Sequence, residues 1–250
     1  MLQTVLVVPC YNEAQRLDAQ AFRTFAATAG DVRLLFVNDG STDGTAEVLD
    51  ALCRDEPAFD VMHLEINQGK AGAVREGVLA ALQTGPDLVG FWDADLSTPL
   101  AELPAFLAVF EKHARIEMVF GARVNLLGRS IRRKLARHYI GRVFATIVAT
   151  TLRLPVYDTQ CGAKVFRVTD DLAGLFGEPF LSKWIFDVEI IARCIASRRG
   201  TDRPPVMEII YELPLTSWHD VDGSKLRLSD FAVVMGDFVR IYRKYVRSTG

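Results

Sequence analysis

Two carboxylates one residue apart, Asp93 and Asp95, stand directly after the apolar run Leu88-Val89-Gly90-Phe91-Trp92, and the chain continues Leu96-Ser97-Thr98-Pro99. Oxygen donors of this kind suit a hard cation such as Mg²⁺ or Mn²⁺, which commonly arrives with substrate phosphates and keeps several waters. A bare Asp-x-Asp is also ordinary turn chemistry, because Asp hydrogen-bonds its own nearby backbone. The neighbours decide between the two. The run before the pair reads as a buried strand, and Thr98-Pro99 reads as a helix start with proline at the first helical position. Ligands of open α/β sheets bind beyond the carboxyl ends of the strands, which is where such a pair would stand.

Other strand-like runs end in polar loops on the same expected edge. Val5-Leu6-Val7-Val8-Pro9 closes on Cys10-Tyr11-Asn12-Glu13, and Val32 to Val37 closes on Asn38-Asp39-Gly40-Ser41-Thr42-Asp43-Gly44. Continuous aliphatic runs of this length are what parallel strands covered on both faces require. Asp39 is placed to accept hydrogen bonds from a base or ribose. Asp43 reads better as a cap for a helix through Ala46 to Leu52. A third strand over Phe59 to Ile66 leads to Asn67-Gln68-Gly69-Lys70-Ala71-Gly72-Ala73-Val74-Arg75 and a helix reaching Gln83. Glycines at a helix entrance beside Lys70 and Arg75 suit an anion, because free backbone amides and the helix dipole converge there. With a helix over Leu17 to Ala27 and a fifth strand over Glu117 to Gly121, β and α alternate through residue 121. That alternation predicts an α/β fold with a mostly parallel central sheet flanked by helices.

The chain has 250 residues, 50% of them hydrophobic, enough for one sizeable core, so we expect a single domain over 1–250. A net charge of −2 gives no argument for a nucleic-acid partner. Charge is clustered all the same. Met118 to Tyr157 holds no acidic residue but includes Arg123, Arg129, Arg132, Arg133, Lys134, Arg137, Arg142 and Arg153. Arginines are good bidentate partners for phosphate. The basic stretch runs into an apolar one ending at Leu152, which predicts one long helix. Its apolar half either receives an acyl or isoprenoid tail or packs in the core or a dimer face. Further on, a helix is expected over Phe180 to Ala196 with Asp187 and Glu189 near its start, a strand over Val206 to Tyr211, a polar loop over Trp218 to Lys225, and an amphipathic helix from Leu228 to Val246. Cys10, Cys53, Cys161 and Cys194 have no metal or disulfide spacing, which points to a reducing compartment. No apolar run approaches the roughly 20 residues of a spanning helix, and the N-terminus lacks a basic n-region. A cytoplasmic chain lying peripherally on the cytoplasmic face of a membrane is therefore expected, since each Lys or Arg near an anionic leaflet contributes about 1 kcal/mol.

Four segments taken together, 7–13 (Val-Val-Pro-Cys-Tyr-Asn-Glu), 37–45 (Val-Asn-Asp-Gly-Ser-Thr-Asp-Gly-Thr), 67–75 and 93–99, resemble glycosyltransferase family 2 in wording, order and spacing. Gly121-Ala122-Arg123, Asp158-Thr159-Gln160-Cys161-Gly162-Ala163-Lys164 and Trp184-Ile185-Phe186-Asp187-Val188-Glu189 are similar to the branch that glycosylates polyprenyl phosphates, dolichyl-phosphate β-glucosyltransferases above all. The resemblance implies a GT-A (Rossmann-like) fold, a nucleotide-sugar donor and inverting transfer of a hexose. It assigns residues 1–121 to the donor half and 122–230 to the acceptor half, with a C-terminal amphipathic helix in 228–250. By the same resemblance Pro9, Tyr11, Glu13 and Asp39 hold the nucleoside, Lys70 approaches the diphosphate, and Asp93 and Asp95 meet nucleoside and metal, Mg²⁺ or Mn²⁺. Arg123, Arg133 and Arg137 clamp the acceptor phosphate, with Arg132 a neighbouring alternative. Asp187 or Glu189 serves either as a base or to orient basic side chains. UDP-glucose and dolichyl phosphate are the implied substrates. GDP-mannose with the same acceptor, a hydroxyl acceptor, or a non-catalytic nucleotide-binding membrane scaffold are the alternatives. The sequence departs from the family at Gly69-Lys70-Ala71-Gly72, where close relatives have Gly-Lys-Gly-Gly, and at Phe180 to Trp184, which lacks the Gln-x-x-Arg-Trp of processive synthases.

Overall fold

A computed structural model describes residues 2–132, 135–220 and 230–247; for 132, 135–140 and 230–232 it describes the backbone alone. The first half alternates as its apolar runs demand: β1 (Thr4–Cys10), α1 (Ala19–Ala26), β2 (Val32–Asp39), α2 (Thr45–Arg54), β3 (Phe59–Leu64), α3 (Gly69–Leu82), β4 (Leu88–Trp92), a 3₁₀ turn, α4 (Leu103–Lys112) and β5 (Met118–Ala122). The second half holds β6 (Ser130–Arg132), α5 (Leu135–Leu152), β7 (Ala163–Arg167), α6 (Leu172–Gly177), α7 (Phe186–Arg198), α8 (Val206–Ile209), β8 (Ile210–Pro214), β9 (Ser217–His219) and α9 (Asp230–Ile241), followed by a π-helical turn.

Seven strands form one sheet in the order β3-β2-β1-β4-β7-β5-β8. Neighbours from β3 to β4 are parallel, and so are β5 and β8, whereas β7 runs antiparallel to both strands beside it. The inversion matters for the site. It brings the start of β7 to the edge where the other strands end. A large core with Val74, Phe91, Phe120, Phe166, Phe186 and Ile190 lies on one face, and a second with Phe22, Phe36, Leu49, Trp92 and Phe106 on the other. The sheet is thus covered twice, which is why its strands are aliphatic on both sides.

Four expectations need correction. α7 starts at Phe186 rather than Phe180, because the Ser182 hydroxyl accepts the amides of Trp184 and Ile185 and Glu189 takes the amide of Leu181, holding the intervening chain in a loop. The strand expected over Val206 to Tyr211 is one helical turn followed by β8; Pro204-Pro205 lead into that turn. Trp218 and His219, read as loop, belong to β9, which pairs with β6 in a small separate sheet. The C-terminal helix is α9 closed by the turn at Tyr242–Val246, and it docks on the protein: Ser182 donates to Asp237 at 2.7 Å, Lys244 pairs with Glu178, and Phe238 meets Phe144 edge-on.

α3 lies close on the sheet at Gly77, where a Cβ would fall 2.4 Å from Val7 Cγ1 and 2.8 Å from Val37 Cγ2. Alanine favours a helix by up to about 1 kcal/mol over glycine, but overpacking costs about 1–3 kcal/mol. We expect Gly77→Ala to lower the guanidinium unfolding midpoint despite its better propensity; a raised midpoint would contradict this packing.

Candidate active site

The carboxyl edge of the sheet gathers the polar loops. Asp93 follows β4, and its amide donates to the Gly162 carbonyl at 3.1 Å, so the antiparallel β7 fixes the backbone that carries it. The turn continues with Leu96 at φ 51°, an uncommon conformation for a residue with a side chain. The Ser97 amide donates to Asp95 Oδ1 at 2.9 Å. Gly162 makes room for the Asp93 carboxylate, since a Cβ there would lie 1.9 Å from Oδ2.

Lys70, in the first turn of α3, forms an ion pair with Asp93. Enclosure of its ammonium disfavours the charge, but Asp93, Asp187 and Asp95 together outweigh that and hold its pKa above the usual lysine value. One cation thus contacts Asp93 and lies within the fields of Asp95, in the turn after β4, and Asp187, at the start of α7. The loop before α7 closes over the same point, the Lys183 stem lying 3.2 Å from where a Cβ of Gly69 would be.

Asp187 is held from below. Lys164 has no exposed surface, and its Nζ lies 2.6 Å from Asp187 Oδ1 and 2.5 Å from the Cys161 carbonyl. In register, β7 sets Lys164 opposite Phe91 on one side and Phe120 on the other. Its ammonium stands 5.4 Å and 5.1 Å from those two ring centroids. A buried ammonium is tolerable only with such a carboxylate and ring faces around it.

The nucleoside candidates are brought to one corner. Asp39 is buried, and its Oδ1 accepts the Gln68 amide at 2.7 Å, tying the end of β2 to the start of α3. Pro9 lies in β1 and Tyr11 just beyond it. The Glu13 amide donates to Thr45 Oγ1 at 2.8 Å while its carboxylate meets Arg16 at 3.4 Å. Asp43, expected as a helix cap, stands one residue before the N-cap Gly44 and instead accepts from Ala14 and Thr45, joining two loops; those bonds, Thr45 first, lower its pKa.

The acceptor candidates are placed differently. Arg123 is engaged with Asp158 through Nε at 2.6 Å and Nη2 at 2.8 Å, with its guanidinium 5.3 Å from the Trp218 ring. Its forked face is thus already occupied, leaving Nη1. Arg133 lies outside the described residues, and Arg137 is described only as backbone in α5. Glu189 is fully buried, taken up by Arg193 and the Leu181 amide, and is remote from solvent chemistry. Sequence reasoning placed Asp158, Gly162 and Lys164 in a segment that resembles the family but gave none of them a role; that segment was the signal available.

The donor set fits a divalent ion carried by phosphate. Asp93 and Asp95 are hard oxygen donors, and among the described residues no cluster of three His, Cys, Asp or Glu forms an all-protein cage.

Solved structures share this fold. Glucosyl-3-phosphoglycerate synthase from Mycobacterium tuberculosis, in complex with Mn²⁺, UDP and glucosyl-3-phosphoglycerate, superposes with a TM-score of 0.67 at 18% identity, covering 96% of this chain and 80% of that one. The architecture is therefore GT-A. The family model of glycosyl transferase family 2 matches residues 5–171, and the chain belongs to that family. Among its relatives, the dolichyl-phosphate β-glucosyltransferase of Saccharomyces cerevisiae is 28% identical over 96% of this chain and 74% of its own length. That of Drosophila melanogaster is 32% identical over 90% of this chain and 69% of its own.

Breaking a buried pair by removing one partner costs about 3–5 kcal/mol, whereas removing both charges is far milder. We expect Lys164→Met to lose stability on that scale and the double variant with Asp187→Leu to recover most of it in denaturant titrations. Simple addition of the two single losses would contradict the coupling.

Proposed function

We propose that this chain transfers a hexose, glucose first among the choices, from a nucleotide sugar, UDP-glucose, to a polyprenyl phosphate such as dolichyl phosphate at a membrane surface, with inversion at the anomeric carbon. The observation that carries the reading is the convergence of Lys70 with Asp93, Asp95 and Asp187 at the carboxyl edge of the sheet. It is supported by the extent of the match to the yeast and fly enzymes.

In this reading Pro9, Tyr11, Glu13 and Asp39 line the nucleoside corner. Lys70, held by Asp93 at rest, turns its ammonium to the donor diphosphate. Asp93 and Asp95 would hold Mg²⁺ or Mn²⁺, which when bound neutralises charge on the leaving nucleoside diphosphate. Lys70 adds to that neutralisation from the start of α3, where free amides also favour an anion.

Asp187 is paired with Lys164 and acts by keeping Lys70 charged and aimed rather than as a general base. The acceptor then needs little proton removal. A phosphate monoester has its second pKa near about 6 and is largely a dianion at neutral pH. Its oxygen attacks the anomeric carbon from the face opposite the diphosphate. Arg123 Nη1, Arg133 and Arg137 receive its charge, while the apolar second half of α5, with Phe144, Val148 and Leu152 buried, packs in the core.

The test is transfer from labelled UDP-glucose, UDP-galactose and GDP-mannose to polyprenyl phosphate in detergent, with and without divalent metal. We expect lipid-extractable product that requires metal and falls at least about 100-fold in Asp95→Ala, the scale of losing one transition-state charge partner. Slow donor hydrolysis without lipid product would overturn the acceptor.

A further inference from the structure

Beyond β5 the chain projects from the same edge as the candidate site and returns at Ser130, whose amide donates to the Thr216 carbonyl at 2.9 Å. Between these anchors the tip is a tight turn, not a slack loop. The Arg129 amide donates to the Leu126 carbonyl at 3.1 Å, and Gly128 takes φ +81° with nothing within 4 Å of a Cβ built on it. A four-residue turn with glycine at positive φ in its third position presents its first two side chains in fixed directions. Here they are leucines. Leu127 is fully exposed and Leu126 is 48% exposed.

Exposed leucines at a turn fixed by hydrogen bonding leave the water contact of two large apolar side chains unrelieved by the fold. The surroundings indicate what relieves it. Arg129 is exposed beside the leucines, and Arg132, Arg133 and Lys134 follow in sequence, inside a 40-residue stretch that carries no carboxylate although the whole chain is at −2. An apolar tip with Arg129 exposed beside it, in a stretch of sequence rich in basic residues, matches an anionic leaflet, whose headgroups meet the arginine while acyl chains receive the leucines. The C-terminal helix is a weaker candidate for the same role, because Arg240 and Lys244 are paired with Asp237 and Glu178.

We propose that the turn Leu126-Leu127-Gly128-Arg129 is a membrane-docking spike that inserts into an anionic lipid leaflet and sets the acceptor half of the site against it. The inference deepens the membrane-surface part of the proposed function and rests on it for orientation. It adds residues to which nothing above assigns a role.

The experiment compares the full chain with a Leu126→Ser, Leu127→Ser variant in flotation with vesicles of phosphatidylglycerol and phosphatidylcholine. Transfer to a short-chain, water-soluble polyprenyl phosphate is measured in parallel. We expect the full chain to float with anionic vesicles and to be released by high salt, and the variant to bind at least about tenfold more weakly, given what two leucines gain on leaving water. Activity on the short-chain acceptor should be unchanged. Equal flotation of both proteins, or no flotation of the full chain, would overturn the proposal. So would loss of short-chain activity in the variant, which would place the leucines in the acceptor site instead. Leucine-dependent flotation without transfer to any polyprenyl phosphate would uphold the spike while removing the lipid-phosphate acceptor, so the two readings fail separately.

Discussion

The antiparallel insertion of β7 between β4 and β5 is the constraint on which the site depends. It sets Lys164 between Phe91 and Phe120 with no access to water. An ammonium there persists only with a carboxylate beside it, and Asp187 at the start of α7 supplies one. The same strand brings Gly162 against Asp93, and the segment leading into it carries Asp158 to Arg123. Three contacts from one stretch of chain thus fix the carboxylates, the helix start and the arginine around the carboxyl edge. A parallel strand at that position would have put Lys164 and Gly162 at different depths and brought neither to the site.

The charge arrangement follows from this geometry. Asp187 is ion-paired with Lys164 and adds its field to Lys70, while Asp93 contacts Lys70 directly. In the proposed reaction Lys70 would exchange Asp93 for the incoming diphosphate, putting positive charge where the leaving group develops negative charge. Arg123 is organised by a different logic. Burial works against its charge, but the fork from Asp158 dominates and raises its pKa, making it a rigid post beside Trp218.

Much of this was legible in the chain itself. Aliphatic runs ending at Pro9, Asp39 and Trp92 could only be covered parallel strands, and placing their loops on one edge followed from that topology. Asp39, Lys70, Asp93 and Asp95 do lie along it. The second half was less legible for physical reasons. Periodicity could not reveal that β7 runs antiparallel, because strand direction is set by connection length and packing rather than by the pattern of side chains. The late start of α7 depends on the Ser182 hydroxyl and the Glu189 carboxylate, which are tertiary partners. The segment from Asp158 to Lys164 stood out by resemblance, but only the register of Lys164 with Phe91 and Phe120 shows it to be buried. The amphipathic pattern of the C-terminal helix did not say what it packs against, because the carboxylates that take up its Arg240 and Lys244 are distant in sequence or one turn away.

The role proposed for Lys70, resting on Asp93, is to receive the donor diphosphate. Calorimetric titration of UDP and of uridine into the full chain and into Lys70→Met, each with Mg²⁺ present, tests it directly. The account predicts that the substitution weakens UDP at least about tenfold, roughly 1.4 kcal/mol, and leaves uridine unchanged. Equal weakening of both, or of neither, would contradict it.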